Sequence, residues 1–382
     1  MVAPPASRAE NNVVVFRVGD DADLLEQHLG NLQRSRGVPL FPALVPAYKV
    51  HDTEDDCDLI IRTDNGRAFY CQISPSRFQR SPKILEQYLK CVNILRSGEE
   101  EIDQFYEEDA YEWLTKPFEP LITKLSPSTL RLPRNQSPTL SQYLYPPYFV
   151  CSLEATDEKM QATRLENQTH GWSEPFIAVD DPFISDLNSW TQIYHPSDVE
   201  LRYDRPQDTL IKRPTKVAIT DEVGGRVTCF FKRFELSFGP AHAKREIMTL
   251  KTIAQIPGPP EAWVCRLRGV VKDRNYLIGM LFSWINIKGP LSETRAAQSS
   301  IALRRRWIDQ ITRSVTTLHQ NHIIWGDAKA GNVLVDEDDN AWIVDFGGSY
   351  TDGWVDPRMA GTVAGDEQGL ARIWEALGGR AL

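Results

Sequence analysis

Apolar and polar positions change rhythm several times along the chain. In residues 57–73, CDLIIRTDNGRAFYCQI, two β-rich runs flank Asn65-Gly66. That dipeptide suits a type I′ turn, which needs positive φ at both central positions, so a hairpin is predicted. Residues 81–98 shift to helical spacing, with Ile84, Leu85, Tyr88, Leu89, Val92 and Leu95 on one stripe and Gly98 as the stop. Residues 99–116 predict a second helix whose acidic face is explained by solvation. Residues 125–148 are rich in Pro and Ser and predict an extended connection, followed by a strand over 148–155.

Near residue 196 the texture changes. PTKVAIT and RVTCFFKRF read as strands joined by DEVGGR, whose Gly224-Gly225 suits a tight hairpin. AHAKREIMTLKTIA predicts a helix in which Glu246, Leu250 and Ile253 share a face. WVCRLRGVV and NYLIGMLFSWI predict two more strands. The longer helix over 301–320 has Leu303, Trp307, Ile311, Val315 and Leu318 on one stripe. A polar loop and a hairpin follow, with DEDDN, residues 336–340, at its tip. Strands and helices in this order give an α+β fold. The division expected is an α+β region over 1–195, in which no catalytic arrangement is legible, and a second domain over 196–382.

Composition narrows the classes. The chain has 382 residues, of which 41% are hydrophobic and 25% charged, as in ordinary globular proteins. A net charge of −9 gives no basic excess, so no nucleic-acid partner is expected, and Arg304, Arg305 and Arg306 read as a solvated helix face. The N-terminus lacks the basic start and apolar core of a secretory signal. No apolar run reaches the roughly 20 residues needed for a membrane span. Six cysteines without a C-x-x-C pair point to buried free thiols in a reducing compartment. The expected location is therefore intracellular, cytoplasmic or nuclear.

Chemistry concentrates in HIIWGDAKAGNVLVDEDDNAWIVDFGG, residues 322–348. Asp327 precedes Asn332 by five positions, and Asp345 ends an apolar run. Phosphoryl transfer needs a hard cation to offset charge on phosphate oxygens, and Asn332 and Asp345 can supply oxygen ligands to Mg²⁺. Asp327 is placed to orient an attacking hydroxyl and accept its proton, and Lys329 to stabilise the transferring group.

These motifs resemble the protein-kinase-like superfamily. WGDAKAGN is similar to the H-R-D-x-K-x-x-N catalytic loop, and Asp345-Phe346-Gly347 to the metal-binding D-F-G motif. CFFKRF resembles the strand bearing the ATP-contacting lysine, here Lys232, with Glu246 as its partner. The longer text through GTVAGDEQGL is similar to uncharacterised fungal kinase-like proteins. The resemblance implies a two-lobed domain, with an N-lobe over about 196–285 and a C-lobe over about 286–382, ATP and Mg²⁺ as cofactors, and adenine against the segment from Leu281 to Trp284.

Departures shape the expectation. No G-x-G-x-x-G loop is present, which places YDRPQDTLIKRP, residues 203–214, in the phosphate-covering position. Trp325 and Gly326 replace the His and Arg of H-R-D, and the Gly-Asp pair is also similar to aminoglycoside and choline kinases. Ser349, Tyr350 and Thr351 offer modifiable hydroxyls where an A-P-E segment is missing. Asp366 is placed to brace the catalytic loop. The residues after D-F-G are too few for the later helices of the family, which implies a truncated C-lobe. The expected activity is transfer of the ATP γ-phosphate to a hydroxyl on a protein or small molecule. The alternatives are a weakly catalytic pseudokinase-like scaffold and a small-molecule kinase.

Overall fold

A computed structural model describes residues 43–51, 55–127, 137–171, 176–234, 239–346 and 350–378. Gly347 and Ser349 lie outside the described residues. The chain forms two compact units, residues 1–173 with 203–214, and residues 174–202 with 215–382. Compared with the boundary drawn near residue 196, residues 174–195 lie in the second unit and 203–214 in the first.

The first unit is built on a five-stranded sheet in the order β1-β2-β3-β4-β5. Its strands are β1 (Ala43–Val50), β2 (Cys57–Thr63), β3 (Ala68–Ile73), β4 (Tyr148–Thr156) and β5 (Lys159–Leu165). Only β3 and β4 pair in parallel. The long connection between them carries α1 (Pro82–Ser97), α2 (Glu107–Thr115), α3 (Glu119–Leu125) and α4 (Leu140–Leu144). Ile84, Tyr88, Val92 and Leu95 of the predicted α1 stripe are buried, whereas Leu89 is exposed and Cys91 and Ile94 take its place in the core.

Two local expectations are corrected. The β2–β3 turn is not type I′: Arg62 pairs with Ala68, and Gly66 alone takes positive φ, at 79°. The Asn65 side chain is instead held by the hydroxyls of Thr63 (2.8 Å) and Ser126 (2.7 Å), so its tertiary contacts override the dipeptide's preference. The Pro- and Ser-rich connection is not wholly extended, because Thr139 and Gln142 form a capping box that starts α4.

The second unit opens with β6 (Ile177–Ala178), α5 (Asp181–Asn188), β7 (Gln192–Tyr194) and β8 (Glu200–Leu201). Then come β9 (Lys216–Thr220), β10 (Arg226–Arg233), α6 (Gly239–Ile253), β11 (Leu267–Asp273) and β12 (Tyr276–Ser283). The sheet order is β8-β9-β10-β12-β11-β7, with β6 also paired to β12. The β9–β10 hairpin turns through Asp221–Gly225, as predicted; Asp221 Oδ1 accepts from the Val223 and Gly225 amides.

A second layer follows. It comprises β13 (Ile287–Pro290), α7 (Glu293–Ala297), α8 (Ile301–Gln320), β14 (Val333–Asp336), β15 (Ala341–Ile343) and α9 (Val363–Ala376). Ser300 caps α8 by accepting from the Leu303 amide, and Trp307, Ile311, Val315 and Leu318 are buried along it. This helix braces the β14–β15 hairpin: Trp307 donates to the Asp339 carbonyl at 3.0 Å, and Gln310 accepts from the Ala341 amide at 2.9 Å. Asp336 closes the hairpin tip by accepting from the Asp338 and Asn340 amides and the Trp342 indole. The two layers are joined where the Cys265 amide donates to the Ile343 carbonyl (3.0 Å) and the Ile343 amide donates to the Trp263 carbonyl (2.8 Å).

Candidate active site

Lys232 sits on the inner strand β10, opposite Met280 of β12. Side chains alternate across a sheet, so Lys232 and Met280 share one face while Phe231 and its partner Leu281 share the other. Leu281 is fully buried there, and Met280 instead joins the core cluster that contains Phe346. Trp284, half-buried beyond the end of β12, donates its indole hydrogen to Asn286 at 2.8 Å. The fold therefore does not bring the Leu281 side chain to the Lys232 face.

Glu246 reaches that face from α6. As the periodicity predicts, it lies on the packed side of the helix with Leu250 and Ile253, and it is only 5% exposed. Lys232 Nζ donates to Glu246 Oε1 at 2.8 Å and to Asp345 Oδ1 at 2.8 Å. Burial alone would lower the lysine's pKa, but the two carboxylates outweigh it and hold the ammonium above its ordinary range. Burial would likewise raise the Asp345 pKa, yet Lys232, with smaller help from Lys329 and His242, keeps it below the usual carboxylate range. Asp345 has φ of +63°, a left-handed conformation that costs a non-glycine residue about 1–3 kcal/mol. Its backbone is fixed from behind by the Val344 amide, which donates to the Asn332 carbonyl at 3.0 Å.

Asp327, 4% exposed, is the centre of a second set of contacts. Asn332 Nδ2 donates to its carbonyl at 2.9 Å and its Oδ2 at 3.0 Å, and Lys329 Nζ lies 2.9 Å from the same Oδ2. Its other oxygen, Oδ1, accepts from Thr351 Oγ1 at 2.8 Å, and Lys329 also donates to that hydroxyl at 2.8 Å. The sequence marked Thr351 only as a modifiable hydroxyl. Its short distance from Asp345 along the chain was the available signal for a place in the site.

The loop itself is held from below. Asp366, on the first turn of α9 and 1% exposed, accepts from the Trp325 amide (2.7 Å) and the Gly326 amide (2.8 Å), which is the bracing expected of it. His319 Nε2 lies 2.8 Å from the same carboxylate. Gly326 takes φ of +91°, so a side chain there would be strained, and this explains why glycine precedes Asp327. Trp325 fills the core and donates to the Val344 carbonyl at 3.0 Å.

Residues 232–352 match the family model described as Protein kinase domain. That segment of the second unit is protein-kinase-like. The matched segment begins at Lys232 and includes Glu246, Asp327, Lys329, Asn332, Asp345 and Thr351. No curated protein matches the chain. The kinase-like segment is consistent with a phosphotransferase in broad terms, and among the described residues no helix is long and apolar enough to cross a membrane.

The donor set of the kinase-like unit fits a hard cation. Asn332 spends its amide nitrogen on Asp327, which leaves its oxygen as the acceptor, and the Lys232 bond engages only Oδ1 of Asp345. Among the described residues no three His, Cys, Asp or Glu side chains gather as a metal cage. Mg²⁺ binds through few protein ligands, and Asn332 and Asp345 would each offer it an oxygen.

Close packing beneath the loop makes one variant informative. A Cβ on Gly369 of α9 would clash with the Ala328 carbonyl oxygen. Gly369→Ala is expected to displace the loop bearing Asp327 and to cost about 1–3 kcal/mol, read as a lower melting temperature. An unchanged melting temperature would show that the contact yields freely.

Proposed function

We propose that the kinase-like unit transfers the terminal phosphate of ATP to a hydroxyl acceptor. The observation that carries this reading is the single hydrogen-bonded cluster at Asp327: a buried carboxylate, an adjacent ammonium and an engaged hydroxyl, next to an oxygen-bearing Asn332. In this reading Asp327 takes the acceptor's proton and Lys329 contacts the transferring phosphate. Lys232, positioned by Glu246, binds the α- and β-phosphates. Asn332 and Asp345 would hold Mg²⁺, which when bound offsets charge on the phosphate oxygens. Adenine would lie near Trp284, beyond the end of β12. The acceptor is a protein or a small molecule; Gly326-Asp327 favours the second class and Lys329 the first.

One observation favours a binding scaffold as the second reading. The hairpin before Lys232 turns through Asp221–Gly225, and the β8–β9 connection, expected to cover phosphates, places residues 203–214 in the first unit. Leu210 of that segment is buried against Gly66. Thermal denaturation with ATP separates the readings, because a ligand that binds the native state raises its melting temperature by mass action. The phosphotransfer reading expects millimolar ATP to raise it, more with Mg²⁺ than without. Asn332→Ala and Asp345→Ala should lose the Mg²⁺-dependent part. No rise under any condition would favour the scaffold.

A further inference from the structure

The fold divides the run Arg304, Arg305 and Arg306. Arg304 donates to the Leu377 carbonyl at 3.1 Å, whereas Arg305 and Arg306 line a groove of about 370 Å³ together with Arg313, two turns further along α8. Helical spacing puts these three on one face, and all three are exposed. Asp309 is the one carboxylate on the groove's lining, so positive charge is in excess there. Among the described residues neither Arg305 nor Arg313 is ion-paired. Arg306 donates to Asn340, which ties the helix to the β14–β15 hairpin at the groove's edge. Trp263 supplies an aromatic wall, its ring edge-on to that of Trp342 at 4.9 Å. Guanidiniums beside an aromatic ring suit a carboxylate-rich segment that carries an aromatic of its own.

This chain carries such a segment. Between Arg96 and Lys116 it has eight acidic residues and no basic one. A two-stranded ribbon, Glu101–Ile102 paired with Phe105–Tyr106, turns there through Asp103 and Gln104, whose φ of 52° and 63° fit a type I′ turn. Glu99, Glu100, Glu101 and Asp103 are exposed, and none of them is ion-paired among the described residues. Tyr106, on the same ribbon, is 41% exposed. We propose that the acidic ribbon of one copy docks in the arginine groove of a second copy of this chain. The proposal does not depend on the phosphotransfer reading. Glu101 and Asp103 pair with Arg305 and Arg313, and Tyr106 lies against Trp263. Ribbon and groove are different patches, so the contact is head-to-tail rather than self-complementary. One ribbon in one groove buries less than the roughly 1,200–2,000 Å² of a standard stable interface, so the association is reversible and steered by charge.

Analytical ultracentrifugation of the full chain over a range of concentrations tests this, at about 0.05 M and about 0.5 M NaCl. The expected result is concentration-dependent association at low salt, weakened about 10-fold or more at high salt as exposed charges are screened. Glu101→Lys with Asp103→Lys, and separately Arg305→Glu with Arg313→Glu, should each abolish it. All four side chains are exposed, so neither double variant should melt much below the wild type. An equimolar mixture of the two double variants should associate again, because opposite charges meet once more between unlike copies. A chain that stays monomeric at every concentration in low salt would overturn the proposal. So would association that survives either charge reversal, or a mixture of the variants that remains monomeric. A sedimentation coefficient that changes with salt but not with concentration would place the acidic segment on its own chain and overturn the second-copy assignment.

Discussion

Asp327→Asn is expected to lower phosphoryl transfer about 10³-fold while leaving the nucleotide-induced rise in melting temperature intact. The amide keeps the shape of the side chain, so Asn332 and Thr351 retain a neighbour of the same size. What it loses is basicity and charge. The carboxylate accepts from Thr351 at one oxygen and from Asn332 and lies against Lys329 at the other, an arrangement that presents it as an acceptor on both sides. Substituting a neutral amide removes the proton acceptor and leaves Lys329 without its carboxylate partner. Single-turnover measurements with γ-labelled ATP would read the effect on the transfer step, and thermal denaturation with Mg-ATP would read binding separately. Loss of both together would assign Asp327 a structural role instead.

Lys232→Met is expected to destabilise the fold by about 1–3 kcal/mol and to weaken nucleotide binding. The methionine fills the aliphatic path of the lysine but leaves Glu246, 5% exposed, and Asp345 facing one another without a cation. The estimate is held below that of a fully buried pair because the Lys232 side chain is 33% exposed. Its pH dependence follows from the direction of the carboxylate shift. Asp345 has a folded pKa below its unfolded value, so its contribution is present above the unfolded value of about 3.9 and is lost as pH falls through the folded one. The melting-temperature gap between wild type and variant should be full at neutral pH and narrow in acid. A gap that widens in acid would mean that repulsion between the two carboxylates is not what the lysine relieves.

The site was legible in the sequence where chemistry and spacing coincide locally. Asp327, Lys329 and Asn332 fall within one short loop, and the i, i+4, i+7 spacing of Glu246, Leu250 and Ile253 placed the carboxylate on the packed face of α6. What was not legible depended on pairing between distant segments. The face on which Leu281 lies is set by its register with Phe231, which an apolar run such as YLIGMLF does not encode. The place of residues 203–214 in the first unit rests on contacts such as Leu210 over Gly66, far apart in sequence and invisible to any local window. The Asn65 turn shares part of this cause, since Ser126, distant in sequence, joins Thr63 in holding the asparagine's side-chain oxygen. Burial of all six cysteines as free thiols, in contrast, followed from their number and spacing alone.

The central claim is that Asn332, Asp345 and Lys232 converge on a metal-bound nucleotide beside Asp327. A crystal structure with Mg²⁺ and a non-hydrolysable ATP analogue tests it most directly. The account predicts the ion on the Asn332 and Asp345 oxygens, Lys232 on the α- and β-phosphates, and the terminal phosphate next to Lys329. A nucleotide bound elsewhere, or an ion that touches neither side chain, would contradict it.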